Sequence, residues 1–207
     1  FSMQMGDSLV VIIINATLLK YGGDFAFGAY GIINSIMLLV VMFIIGLNQG
    51  AQPIVGFNYG AGNYERMFKT LRYTIIIASV FSAVGFVIGR FFPEISVSLF
   101  TTDENLKHIA SNALKIGVSM FPIIGFQIVI ANFFQSIGKA KMSIFLSLTR
   151  QFIFLLPAIF ILPLFWGLNG AWASMHVYDG LSAIVSATTL FYFYKKFKAE
   201  QVNNRLH

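Results

Sequence analysis

Four charged residues interrupt long apolar stretches of the sequence, and they are its first candidates for chemistry: Asp7, Lys115, Arg150 and Asp179. A charge inside an apolar membrane span is costly unless it is paired or faces water. A buried carboxylate that has no cationic partner could carry a proton, whereas an adjacent Arg or Lys keeps it ionised. These residues therefore predict a cation-coupling site or a buried polar network.

The depth of each charge follows from the rise of about 1.5 Å per helical residue. Asp7 falls roughly 10 Å, and Arg150 about 12 Å, from one face of the membrane. Lys115 falls roughly 10 Å, and Asp179 about 15 Å, from the opposite face. Depth permits an Asp7–Arg150 pair and a Lys115–Asp179 pair, and we predict both.

Each charge also has a plainer interpretation. Lys115 and Arg150 have long side chains that can reach the nearer interface, and Asp7 can lie at a helix start on the surface. Asp179 is the hardest to explain in this way, because it lies ten residues past Asn169 in the last apolar stretch. We predict that Asp179 anchors a buried polar network.

Five amides form a second set of polar residues within the same stretches. Gln127 and Asn132 are five residues apart, so they lie about 140° apart around a helix, whereas Gln135 shares the face of Asn132. They are candidates for a substrate path, and hydrogen bonding between helices is the alternative. The set comprises Asn15, Asn34, Gln127, Asn132 and Gln135.

Signatures of catalysis and of cofactor binding are incomplete. The stretch 135–140 ends like a phosphate-binding loop, but it lacks the first glycine and the final Ser or Thr. The histidines at positions 108, 176 and 207 have no metal-ligand spacing, and there is no cysteine. We therefore expect no enzyme, no metal and no cofactor apart from a coupling ion, H⁺ or Na⁺.

The elements that position these residues follow from composition. Of 207 residues, 57% are hydrophobic and 11% are charged, whereas soluble domains have about 25% charged residues. This excludes a disordered chain, a nucleic-acid arm and an ordinary cytosolic enzyme. The apolar stretches lack alternation, so the sequence predicts an all-α polytopic membrane helix bundle with six transmembrane helices. Their predicted spans are 1–20, 28–51, 70–91, 109–136, 142–166 and 169–194.

Lys and Arg residues are distributed unevenly between the two sets of loops. Nine lie in the loop between spans two and three, in the loop between spans four and five, and in the tail 195–207, against three in the other loops. Because cytoplasmic loops carry the excess of Lys and Arg, we predict a multi-pass protein of the cytoplasmic (inner) membrane with both ends cytoplasmic. Topology explains the net charge of +6, so no nucleic-acid partner is expected.

The stretch 46–60 is the most unusual in composition. Two Gly-xxx-Gly pairs allow close approach of helix backbones, and Pro53 is expected to break the helix. The stretch is either a bendable junction near a transport path or a tight, immobile junction. The hinge candidates are Gly50, Pro53, Gly56 and Gly60.

Continued to Arg66, this stretch resembles the hallmark that follows the eighth helix of the MATE (multidrug and toxic compound extrusion) transporters. The hallmark runs roughly G-x-x-Q-G-x-Q-P-x-x-G-x-N-x-G-A-x-x-x-x-R. Residues 134–140 resemble the end of the family's tenth helix. The eleventh helix is resembled by Arg150-Gln151 together with Pro157 and Leu162-Pro163. Residues 166–172 with Asp179 resemble the start of the twelfth helix.

The resemblance implies that residues 1–207 are the C-terminal six-helix lobe of a twelve-helix transporter. It implies multidrug efflux of amphipathic small molecules by H⁺ or Na⁺ antiport, with alternating access between two lobes. The expected partners are the lipid bilayer and an N-terminal lobe in the same polypeptide. One branch of the family uses a carboxylate on the seventh helix, where Asp7 falls, and a second acid on the tenth, where this chain has Phe126-Gln127.

Two alternatives remain open at this point. A flippase for lipid-linked oligosaccharides should have several cations in its cavity to hold pyrophosphate, and here only Lys115 and Arg150 are available. A truncated, non-transporting membrane scaffold is the other alternative, and the missing first lobe is its support.

Overall fold

The computed structural model describes the backbone of residues 2–205 and the side chains of residues 8–198. Within these limits the chain is almost entirely helical and contains no strand, which confirms the predicted all-α class. The α-helices are α1 Ser2–Gly60, α2 Tyr64–Phe91, α3 Pro93–Ser98, α4 Glu104–Gly117, α5 Phe121–Ser136, α6 Ala140–Leu148 and α7 Leu156–Arg205. A 3₁₀ turn, Val118–Met120, joins α4 to α5, and a π-helix, Thr149–Leu155, joins α6 to α7.

The two longest helices are each interrupted at one glycine. Gly23 in α1 has φ 66° and ψ −165°, and Gly167 in α7 has φ 54° and ψ −132°. Side-chain-bearing residues rarely adopt such positive φ values, so glycine permits both breaks. Each break lies between two of the spans that the sequence predicted. Four stretches are long and apolar enough to cross a membrane: Ser8–Gly60, Tyr64–Phe91, Glu104–Ser136 and Ala140–Lys198.

Short capped turns connect the other helices. The Asn63 side chain accepts a hydrogen bond from the Arg66 N–H at 3.3 Å at the start of α2. The Asp103 side chain accepts one from the Leu106 N–H at 3.0 Å at the start of α4. Such caps satisfy N–H groups that have no partner inside the helix. The turns lie where the sequence placed its loops.

Buried apolar side chains form two clusters at different heights of the bundle. The first cluster lies where α1, α4 and the middle of α7 meet, and its members include Leu18, Leu114, Phe121, Ile159 and Trp172. The second cluster lies where the end of α1, the start of α2, α5 and α6 meet, and its members include Ile44, Met67, Ile130, Phe134 and Leu146. Burial of this apolar surface positions the polar residues that lie between the clusters.

The stretch 46–60 does not have the broken geometry that the sequence predicted. Helix α1 continues through Pro53 to Gly60, and Gly23 is its one non-helical residue, so the predicted break at Pro53 is wrong in this conformation. Membrane helices accommodate proline through small local adjustments of the backbone. A Cβ at Gly56 would lie 3.1 Å from the Ser136 carbonyl oxygen, whereas Gly50 and Gly60 face open space among the described residues. The predicted close approach therefore occurs at Gly56 alone among these three.

Close helix approach instead occurs at Gly125, where α5 packs on α2. A Cβ there would lie 2.6 Å from Ser82 Oγ and 3.0 Å from the Ala78 carbonyl oxygen. We expect Gly125→Ala to lower the free energy of unfolding by about 2 kcal/mol through overpacking. The midpoint of thermal unfolding of the purified full-length protein measures this. Gly50→Ala is the matched control and should leave the midpoint unchanged or raised; equal midpoints for both variants would contradict the packing argument.

Candidate functional site: a buried ion pair beside a polar cavity

Arg150 and Asp179 meet in the interior of the bundle. Arg150 lies in the first turn of the π-helix, and Asp179 lies in the segment of α7 that follows Gly167. Arg150 Nη2 lies 3.0 Å from Asp179 Oδ1, and the two side chains are 24% and 4% exposed. A buried carboxylate at this depth requires such a partner. The structure thus gives Asp179 a cationic partner, as expected for a buried polar network.

Two further contacts tie this pair to its surroundings. The Arg150 guanidinium carbon lies 5.5 Å from the centre of the Tyr178 ring, within the range of a cation–π interaction. Gln127 Nε2 on α5 donates a hydrogen bond of 2.7 Å to the Asp179 backbone carbonyl. The π-helix, α5 and α7 are therefore joined at one height through polar contacts.

A cavity of about 280 Å³ adjoins the ion pair. Most of the residues that line it are polar, and the apolar ones include Val41 and Ile45 of α1 and Ile128 of α5. A polar cavity of this size has room for several water molecules. The polar residues that line it include Gln127, Asn132, Gln135, Ser143, Ser147, Arg150, Gln151, Ser182 and Ser186.

On α5 and α7 this polar region lies between the two apolar clusters, which stay in contact through Val40 and Ile128. On α5, Gln127 lies between Ile124 of the first cluster and Ile130 of the second. On α7, Asp179 follows Trp172 of the first cluster, and Phe197 of the second comes after it. Gln127 Oε1 and Thr149 Oγ1 are buried without a hydrogen-bond partner in the described part of the chain. Buried polar atoms normally have a partner, and Gln127, which lines the cavity, can find one in a water molecule there.

The other predicted charges lie elsewhere. The predicted Lys115–Asp179 pair is wrong, because Arg150 occupies the position beside Asp179, and Lys115 forms no ion pair among residues 8–198. Helix α4 approaches α7 through His176, whose Nε2 lies 2.7 Å from the Ile116 carbonyl oxygen. Asp7 lies outside the described side chains, so its predicted pairing with Arg150 stays a prediction.

Three of the five predicted amides come together. Gln127, Asn132 and Gln135 all line the cavity, although the first two lie on different faces of α5. Asn132 Nδ2 also donates to the Ile128 carbonyl at 3.0 Å. Asn15 and Asn34 are half-buried on α1, outside the cavity lining.

Four serines of the cavity were not predicted from the sequence. Ser182 and Ser186 lie three and seven residues after Asp179, and Ser143 and Ser147 lie seven and three residues before Arg150. Positions three, four and seven residues apart share one face of a helix. The spacing from each charge was the signal that could have identified them. Among the described residues no group of three or more His, Asp or Glu side chains could hold a metal ion.

An all-helical, multi-pass bundle with a polar cavity at the level of a buried ion pair has the architecture of a membrane transporter. The family model of MatE matches residues 2–161. The chain belongs to this family, the MATE transporters, which confirms the resemblance found in the sequence.

Known relatives agree with this assignment. The solved structure of the MATE multidrug transporter DinF-BH in complex with R6G is 39% identical, with a TM-score of 0.79 over 92% of this chain and 43% of its own. The multidrug export protein MepA of Staphylococcus aureus (strain MSSA476) is 24% identical over 191 residues, 92% of this chain. A crystal structure of MATE in the bent conformation, 21% identical with a TM-score of 0.89, shares the fold over 97% of this chain and 44% of its own. The chain spans 42% of the length of MepA.

Proposed function

We propose that this chain is the C-terminal lobe of a two-lobe transporter that exports amphipathic, often cationic, small molecules by H⁺ or Na⁺ antiport. The proposal rests on the family match over residues 2–161. It also rests on the coverage of the relatives, because the chain spans less than half the length of each one. Repeated halves with a substrate path between them are common in secondary transporters. The missing N-terminal lobe would supply the opposite wall of the path.

The proposed topology has six membrane crossings with both ends in the cytoplasm. The breaks at Gly23 and Gly167 support six crossings, because each divides a long helix into two segments. The unequal distribution of Lys and Arg supports the orientation. The proposed membrane is the cytoplasmic one.

Within this lobe, we assign the Arg150–Asp179 pair a structural role and Asp7 the coupling role. The Asp179 carboxylate is held by Arg150 at 3.0 Å, so it is less available to a coupling ion than an unpaired carboxylate is. Arg150 is the one cation in the lining of the described cavity, and its charge is matched by Asp179. The lobe thus offers little to hold a pyrophosphate, which disfavours the flippase alternative.

Export by the full-length polypeptide tests this function. In bacteria that lack their own efflux pumps, expression of the complete reading frame should lower the steady-state accumulation of a fluorescent, amphipathic cation. In proteoliposomes, an imposed proton gradient and an imposed sodium gradient should differ in their ability to drive export of the dye. A full-length protein that is folded, yet exports no cationic, neutral or zwitterionic probe under either gradient, would support the scaffold alternative.

We expect Asp7→Asn to reduce coupled export at least tenfold while the amount of folded transporter stays unchanged, because a neutral amide cannot exchange a cation. Gradient-driven dye export in proteoliposomes measures the loss, and size-exclusion chromatography measures the folded amount. Glu94→Gln removes an exposed acid from the short helix α3 and is the matched control. Full export by Asp7→Asn would exclude Asp7 as the coupling carboxylate and leave the efflux assignment intact.

A further inference from the structure

A second, larger depression lies between α2 and the end of α7, and it shares no lining residue with the polar cavity. Its volume is about 1320 Å³, larger than the roughly 300–1,000 Å³ typical of a small-molecule pocket. Its lining includes Phe68 and Tyr194, whose rings meet edge to face with centroids 4.9 Å apart. We call this depression the α2–α7 groove.

The groove is polar at one end and apolar at the other. On α2, Lys69 and Arg72 line it near the start of the helix, and Ile76 lines it one turn further on. On α7, Lys198 lines the same end as these cations, and Ala187 lines the opposite end. The groove therefore has a cationic mouth and an apolar interior.

The α2–α7 groove is about as long as one leaflet of the bilayer is thick. The lining runs from Tyr64 to Ile76 on α2 and from Ala187 to Lys198 on α7, which is about 17 Å along either helix. One leaflet contributes about 15 Å of a hydrocarbon core that is about 30 Å thick. A ligand that fills the groove must match these lengths with a charged head and an apolar tail.

The cations at the mouth are not neutralised within the lobe. Lys69, Arg72 and Lys198 form no ion pair with any residue from 8 to 198. Glu65 is the one acid in the lining of the groove, so three positive charges face one negative charge. The general excess of Lys and Arg on the cytoplasmic side explains why positive residues lie at this end of the helices. It does not explain why three of them line the same groove.

We propose that the α2–α7 groove is a binding site for one anionic phospholipid. The phosphate and headgroup contact Lys69, Arg72 and Lys198, and one acyl chain lies along Phe68 and Tyr194 toward Ala187. Basic pockets between membrane helices recognise anionic headgroups. The site shares no lining residue with the polar cavity and adds a lipid requirement to the lobe.

Native mass spectrometry of the purified full-length transporter tests the site. The probes are palmitoyl-oleoyl-phosphatidylglycerol and palmitoyl-oleoyl-phosphatidylcholine, which share their acyl chains and differ in charge. The wild type should retain one phosphatidylglycerol in preference to phosphatidylcholine. The triple variant K69Q/R72Q/K198Q should bind phosphatidylglycerol at least about tenfold more weakly, because each cation near an anionic headgroup contributes about fivefold to affinity.

The matched control removes the same number of charges from the same side of the lobe. The triple variant R66Q/K141Q/K196Q changes exposed residues outside the groove, and we expect it to change phosphatidylglycerol affinity less than threefold. Ala187→Trp fills the apolar end without changing charge and should weaken binding of both lipids.

Three results would overturn the proposal. The first is equal retention of the two lipids by the wild type, and the second is a groove variant that binds no more weakly than the control variant. The third concerns the variant Ala187→Cys in lipid-free detergent: its thiol fails to react with a lipid-soluble maleimide. That result would mean that the rest of the transporter covers the groove. Each readout is independent of export, so failure here leaves the proposed function standing.

Discussion

Replacing Arg150 with methionine is expected to lower the free energy of unfolding by about 3 kcal/mol, because the substitution leaves a buried carboxylate without its charge partner. Asp179 is 4% exposed and lies 3.0 Å from the guanidinium. The double variant R150M/D179N should recover most of the loss, since no unpaired charge remains. Thermal unfolding of the purified full-length transporter, completed as a double-mutant cycle, measures the coupling between the two residues.

The matched control is the ion pair on the surface of α4. Lys107 Nζ lies 3.5 Å from Glu104 Oε1, and these side chains are 28% and 83% exposed. Because exposed pairs contribute about 0–1 kcal/mol, Lys107→Gln should shift the unfolding midpoint only slightly. If R150M unfolds at the same midpoint as Lys107→Gln, Asp179 does not depend on Arg150 and the anchoring role is wrong.

Gly170→Ala is expected to prevent most of the protein from folding. A Cβ at this position would overlap the backbone carbonyl of Leu162 and the nitrogen of Pro163. These are backbone atoms that cannot rotate aside, so the two segments on either side of Gly167 would have to separate. Overpacking of this kind costs about 3 kcal/mol or more. The yield of monodisperse full-length transporter after detergent extraction measures the effect.

Gly180→Ala provides the comparison for Gly170→Ala within the same helix. A Cβ at Gly180 meets nothing within 4 Å, and alanine favours a helix over glycine by about 1 kcal/mol. Its yield should equal or exceed that of the wild type. Wild-type yield from Gly170→Ala would show that the turn at Gly167 can open without cost and that the packing here is loose.

The helices were predictable from the sequence, because long apolar stretches between polar turns have few alternative structures in a membrane. The depth of each charge in the membrane was also consistent with Arg150 as the partner of Asp179. Arg150 about 12 Å from one face and Asp179 about 15 Å from the other lie only about 3 Å apart in depth across a core of about 30 Å. Depth therefore agreed with the observed pair, but it does not give the direction in which a side chain points around the helix.

That direction depends on the π-helix, Thr149–Leu155, which contains Arg150. A π-turn takes more residues than an α-turn, so it changes the angular position of the side chains on either side of it. Such segments are rare and have no simple sequence signature. Angles counted at 100° per residue through this stretch are therefore wrong, and the pairing could not be derived from them.

Glycine patterns were also an incomplete guide to close packing. The Gly-xxx-Gly pairs drew attention to Gly50 and Gly60, which face open space within this lobe. Gly125 and Gly170 approach a neighbouring backbone most closely, and they belong to no such pair. Close approach depends on which backbone lies opposite, and that is a property of the tertiary structure. Similarly, the chain departs from helical geometry at Gly23 and Gly167 and not at Pro53.

The polar layer between the two apolar clusters has a mechanical consequence. Interlocked apolar side chains resist displacement because a small shift loses many contacts at once. A layer that contains a 280 Å³ cavity and a few directional contacts can exchange one partner for another, or for water, at smaller cost. We therefore expect bending or twisting of the bundle to concentrate at the height of this polar layer.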